Sequence, residues 1–70
     1  GIHKIIEKLD LNQKQANIYF ALLQMGTGRI QEIAKNTSLK RTTTYSILDG
    51  LVQRGFVSVL KKGGHREYFA

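Results

Sequence analysis

Gln31-Glu32-Ile33-Ala34-Lys35-Asn36-Thr37, then Ser38-Leu39-Lys40, then Arg41-Thr42-Thr43-Thr44-Tyr45-Ser46-Ile47-Leu48-Asp49-Gly50-Leu51-Val52-Gln53-Arg54 decide how this chain folds. The first run, with Ile30 before it, sets Ile30, Ile33 and Ala34 on one side of a short helix over 30–37. The middle triplet reads as a tight turn. The third run predicts a helix over 41–54, closed by Gly55 and the apolar pair Phe56-Val57. A short helix, a three-residue turn and a second helix make the helix-turn-helix pattern. The opening turn of the second helix is basic and rich in hydroxyls, which is chemistry suited to a nucleic-acid groove.

Working upstream, Ile2, Ile5, Ile6 and Leu9 follow amphipathic spacing and predict a helix over 2–9. Asn12 can cap the next helix, and Gln15 completes a capping box in which Asn replaces the usual Ser or Thr. Ala16, Tyr19, Phe20, Leu22 and Leu23 give that helix its expected apolar stripe, and Gly26 and Gly28 are expected to end it. In the helix over 41–54, Thr44, Ile47, Leu48 and Leu51 share a face that should pack on the two helices before it. Gly50 inside that helix costs roughly 1 kcal/mol relative to Ala. A close approach by another element and a plain surface position are both open as its explanation.

Downstream of Gly55 the period changes to two. Phe56-Val57-Ser58-Val59-Leu60-Lys61-Lys62 and His65-Arg66-Glu67-Tyr68-Phe69 flank Gly63-Gly64, a two-residue hairpin signal. That register pairs Lys62 with His65, Lys61 with Arg66 and Val59 with Tyr68. Val57, Val59 and Tyr68 are the favoured core face, with Phe56, Leu60 and Phe69 on the other. The expected fold is mainly α with a C-terminal β-hairpin, a winged helix-turn-helix whose wing is Lys61, Lys62, His65 and Arg66.

Seventy residues without Pro or an internal linker suggest one domain over 1–70 with a lean core. There is no Cys, which excludes disulfides and fits a cytoplasmic setting. No apolar run approaches the roughly 20 residues of a membrane span, so no membrane partner is expected. Lys and Arg number 11 against 5 Asp and Glu, a net charge of +6, which argues for a polyanionic partner.

The order of residues resembles the DNA-binding domain of the TrmB family of transcriptional regulators. The likeness runs through Leu9-Asp10-Leu11-Asn12, Ala16, Ile18-Tyr19, Ala21-Leu22-Leu23 and Gly26. It continues in Glu32-Ile33-Ala34, Tyr45, Leu48, Leu51, Gly55-Phe56-Val57 and Arg66-Glu67-Tyr68. Ile33-Ala34 and Leu51 with Gly55-Phe56-Val57 are shared by winged helices of the MarR and ArsR types, while Tyr19 with Ala21-Leu22-Leu23 points to TrmB. The chain departs from the family at Arg29, where a hydroxyl residue is usual, and at Ser38 and Lys40, where Gly and Pro are often found. Such regulators usually carry a C-terminal sugar-sensing domain, so the resemblance implies a DNA-binding module of a longer regulator. It also implies paired half-sites and allows a homodimer. The segment 2–9 is a candidate dimer element, with packing inside its own monomer as the other reading.

The expected partner is double-stranded DNA. Lys40 and Arg41 stand at a helix N-terminus, where free N–H groups already favour phosphate. Arg41 is the candidate base reader, since a guanidinium can bond guanine O6 and N7 together. Thr42 and Thr43 can donate to phosphate or touch a thymine methyl, or serve only the first helical turn. Tyr45 and Ser46 lie one turn further on, and Tyr45 can either bond a phosphate or cover the edge of the core. Lys61, Lys62, His65 and Arg66 are expected along the flanking backbone, with a solvated hairpin tip as the alternative. Arg29 and Gln31 can touch a phosphate from the start of the shorter helix. Arg54 reads instead as a partner of a helix C-terminus. No catalytic or metal-ligating residue and no cofactor is expected, because His3 and His65 lie apart and neither has a carboxylate pattern beside it. The rival reading is a winged helix that binds protein through Phe56, Leu60 and Phe69.

Overall fold

The computed structural model describes residues 10–70. The expected helix over 2–9, and with it the candidate dimer element, lies outside them. Helix α1 is Gln13–Met25 and opens with the full capping box. The Asn12 side chain accepts from the Gln15 N–H at 2.8 Å, and the Gln15 side chain accepts from the Asn12 N–H at 3.0 Å. It ends on Gly26, whose φ of 81° no other residue adopts cheaply.

Strand β1 is Thr27–Gly28, so Gly28 does not end the helix as the sequence suggests but starts a sheet. A side chain there would meet Met25 Cε at 2.7 Å and Ile33 Cγ1 at 3.2 Å. Helix α2 is Ile30–Thr37, helix α3 is Arg41–Gln53, strand β2 is Ser58–Lys62 and strand β3 is His65–Phe69. Helix α1 packs against α2, α3, β1 and β3. Its burial therefore exceeds the expected stripe: Ile18 is fully buried, while Leu23 is 53% exposed.

The helix-turn-helix closes without the Gly expected in such a turn. Ser38 itself takes the left-handed conformation (φ 58°, ψ 32°), and the Leu39 N–H reaches back to the Ala34 carbonyl at 3.0 Å. Half-buried Leu39 packs on the core beside this closure. Helix α3 ends in the same way on Gly55 (φ 83°), with the Phe56 N–H on the Leu51 carbonyl at 3.0 Å. Thr44, Leu48 and Leu51 of α3 are buried and Ile47 is half-buried, facing α1 and α2 as expected. The Thr44 hydroxyl donates to the Lys40 carbonyl at 2.8 Å, so its burial leaves no unmet donor. Truncating a core residue such as Leu48 costs about 2–5 kcal/mol, comparable to the whole stability of so small a domain.

The hairpin adopts the expected register, Val59 with Tyr68, Lys61 with Arg66 and Lys62 with His65, around Gly63 (φ 48°) and Gly64 (φ 89°). Both positive φ values match a type I′ turn. The sheet order is β1-β3-β2, with Gly28 opposite Tyr68 and Thr27 opposite Phe69. Strand β3 is thus central and β2 is an edge.

That order corrects the expected core face. Val57 and Tyr68 are buried, but Val59 is 38% exposed because it lies on the edge strand. Phe56, assigned to the opposite face, packs on the core instead, with its ring edge-on to Tyr19 at 5.8 Å. Among the described residues, three helices followed by an antiparallel hairpin, with β1 joining the sheet, make a winged helix-turn-helix.

Two glycines of similar sequence setting should respond oppositely. A side chain at Gly50 meets nothing within 4 Å, so the surface explanation of this residue holds. Gly50→Ala should raise stability by about 0.5–1 kcal/mol, read as a higher urea midpoint at unchanged slope. Gly55→Ala, forced to a positive φ, should lower it by about 1 kcal/mol or more.

Candidate nucleic-acid interface

Two helix N-termini and the wing border one side of the molecule. At α2, the Arg29 N–H is taken by Glu32 Oε1 at 3.0 Å. The guanidinium of Arg29 has no acceptor, so only this half of a capping box forms. The early N–H groups of α2 have no intrahelical partner. At α3, Lys40 precedes the helix without a side-chain cap, and no acid stands in the first turn. The helix dipole there is left unneutralised, and Lys40 and Arg41 add full charges to it. Lys40, Arg41, Thr42 and Ser46 are exposed, while Thr43 and Tyr45 are half-buried.

The hairpin register divides the four wing cations. Lys61 and Arg66 share the face of Tyr68, whereas Lys62 and His65 share the opposite face. On that opposite face the Lys62 ammonium lies 3.7 Å from Glu67. This division is not visible when the four are read as one basic cluster.

Between the helices and the wing lies a cleft of about 490 Å³. Arg29, Ile30 and Gln31 line it from the start of α2, and Arg41 and Tyr45 from α3. Gly64, His65, Arg66 and Tyr68 complete it from the hairpin. Six of the residues singled out in the sequence meet here: Arg29, Gln31, Arg41, Tyr45, His65 and Arg66. Lys40, Thr42, Thr43, Ser46, Lys61 and Lys62 do not line it. Tyr45 lines the cleft and also packs on the core, which meets the expectation that it covers the core's edge.

Arg66 is exposed and stands beside the Tyr68 hydroxyl. Its pKa is raised above the usual guanidinium value, first by the Tyr68 hydroxyl beside it, then by Tyr45 and Asp49. The Tyr68 hydroxyl is buried and makes no hydrogen bond of good geometry.

Ile30, Gly64 and Tyr68, which also line the cleft, have structural roles in the sequence reading. Spacing alone could have found part of this, because Arg41, Tyr45 and Asp49 recur every four residues and so share one helical face. Arg54 has a more specific task than a dipole partner. Its guanidinium donates to the Asp10 carbonyl at 3.0 Å and lies 5.0 Å from the Phe56 ring centre. Among the described residues, no group of three or more His, Cys, Asp or Glu is placed to hold a metal, and no helix is long and apolar enough to cross a membrane.

Comparison with known proteins gives a consistent picture. The family model described as the sugar-specific transcriptional regulator TrmB matches residues 6–70. The HTH-type sugar sensing transcriptional regulator TrmBL1 of Pyrococcus furiosus is 26% identical over 55 residues, which span 79% of this chain and 16% of that protein. Among solved structures, NadR in complex with 4-hydroxyphenylacetate superposes with a TM-score of 0.83 at 22% identity, over 97% of this chain and 50% of that one. A MarR family transcriptional regulator from Silicibacter pomeroyi DSS-3 gives 0.79 at 19% identity, with the same coverages of 97% and 50%. These two structures share the fold. The chain spans a minor part of the regulator to which it is similar in sequence.

Lys62 is exposed and Glu67 is half-buried, at a separation of 3.7 Å, so the contribution of the pair to folding should be small. Glu67→Gln is expected to change stability by no more than about 0.5 kcal/mol in urea unfolding. A loss well above 1 kcal/mol would mean that the pair holds the hairpin together.

Proposed function

We propose that this chain, which belongs to the TrmB family of transcriptional regulators, is a sequence-reading, double-stranded DNA-binding module. In this reading α3 enters a major groove and the hairpin follows the flanking backbone. The observation that supports it is the convergence of Arg29, Arg41 and Arg66, from three separate elements, beside the exposed first turn of α3. Arg41 is the base reader, with a bidentate contact to guanine worth about 1–3 kcal/mol of discrimination. Thr42, Thr43 and Ser46 extend the contact along α3, and Lys40, Arg29 and Gln31 meet phosphate. Lys61 and Arg66 serve the backbone from one face of the wing, and Lys62 and His65 from the other. The sugar response named for the Pyrococcus furiosus relative belongs, in this reading, to parts of the regulator outside these 70 residues.

The protein-docking alternative has less support. It needs Phe56, Leu60 and Phe69 as one open apolar surface, but Phe56 packs on the core and only Leu60, at 48%, is well exposed.

Binding of a random duplex, followed by fluorescence anisotropy, should weaken steeply as salt rises, because Lys and Arg displace condensed counterions. Failure to bind at low salt would defeat the nucleic-acid reading. On a selected operator, Arg41→Ala should blunt sequence preference. Lys62→Ala should instead weaken all duplexes alike and reduce the salt slope by about one unit. Equal losses on every sequence for both variants would remove Arg41 as a reader.

A further inference from the structure

We propose that Asp49 is a positioning residue for the wing: its carboxylate competes with DNA phosphate for Arg66, and so weakens binding to sequences that do not align α3. This rests on the DNA-binding reading above and adds to it a residue that works through Arg66 rather than on DNA.

The geometry comes from two surfaces that face each other. Arg41, Tyr45 and Asp49 recur every four residues and share one face of α3. The first two line the cleft, and Arg66 and Tyr68 line it from the wing. Strand alternation sets Arg66 and Tyr68 on one face of β3, so the wing turns that face toward α3. Asp49 is the one acid of α3. The other acids near the cleft are engaged elsewhere, Glu32 by the Arg29 N–H and Glu67 beside Lys62 on the opposite face of the wing. The charge of Arg66 is favoured first by the Tyr68 hydroxyl, then by Tyr45 and by Asp49.

Distance decides which cation Asp49 serves. From the helical rise per residue, the backbone of Arg41 lies about 12 Å away along the axis. That exceeds the screening length of about 8 Å at physiological salt, so Arg41 stays available to a base. Asp49 and Arg66 are both exposed, and an exposed ion pair contributes little to folding. Its effect falls on binding instead. A phosphate must displace the carboxylate to gain Arg66, and only a well-aligned, charge-assisted contact offsets that exchange. An operator, on which Arg41 fixes the position of α3, aligns the wing with the backbone; an arbitrary duplex does not. The carboxylate is thus a repulsive element directed against wrong sequences.

The test uses the 70-residue chain and fluorescence anisotropy, with a random duplex and a selected operator over a range of salt concentrations. Asp49→Asn keeps the shape of the side chain and removes its charge. It should tighten binding to the random duplex about fivefold. It should steepen the salt slope on that duplex by about one unit, as Arg66 is released to phosphate. Operator affinity should change by less than about twofold, so the preference for the operator narrows. In an Arg66→Gln chain the same substitution should change neither duplex by more than about twofold. The urea midpoint of Asp49→Asn should match that of the wild type.

An equal gain with and without Arg66 would mean that Asp49 merely repels DNA, and would overturn the proposal. So would an unchanged affinity for the random duplex, a loss on both duplexes, or a lowered urea midpoint. In each of those cases the wild-type chain still binds, and the DNA-binding reading stands. Failure of the wild-type chain to bind any duplex at low salt would remove both.

Discussion

Tyr68 is the point on which helices and wing meet. Within β2 and β3 it is the only buried residue. It sits on the central strand, opposite Gly28 on one side and Val59 on the other. Its ring extends the core formed by Ile18, Leu22, Ile33, Leu48 and Leu51 out to the hairpin. Burying an aromatic side chain of this size is worth a few kcal/mol, a large share of what so small a domain has. Without that anchor the hairpin would be an isolated ribbon, marginal in water at best. With it, Arg66 is held two residues away on the same face, beside Tyr45 and across from Arg41.

Local chemistry made most of the fold legible. The Asn12–Gln15 box sets where α1 begins, and Gly63-Gly64 sets the hairpin register, because each depends on residues within a few positions of one another. What stayed hidden depends on neighbours far along the chain. A strand of two residues such as Thr27–Gly28 has no period to detect, and it exists only because β3 arrives to pair with it. Two apolar faces alternate along the hairpin, and nothing local says which strand will lie at the edge. That is why Val59, an equal of Tyr68 in pattern, ends up exposed. Ser38 illustrates the opposite case, where a residue with no preference for the left-handed region accepts it because the helices on both sides are already fixed by packing.

The candidate site divides along the same line. The residue types were readable: guanidinium groups at helix starts, a basic hairpin tip, hydroxyls on an exposed first turn. Their grouping was not. Arg29 and Arg66 are far apart in sequence, and the β1–β3 pairing, with the packing of β3 on α2, brings the start of α2 and the wing to one cleft. The alternation of strand side chains also splits Lys61 and Arg66 from Lys62 and His65, a distinction that summed charge conceals.

The β1–β3 pairing has a mechanical side. Strand β3 is bonded to β2 along one border and to the residues just ahead of α2 along the other. Because Thr27 and Gly28 pair with Phe69 and Tyr68, the base of the hairpin is fixed to the residues just ahead of α2, while the tip extends beyond that pairing. The ordering of that base is completed during folding, so a partner that settles against it has less backbone left to order.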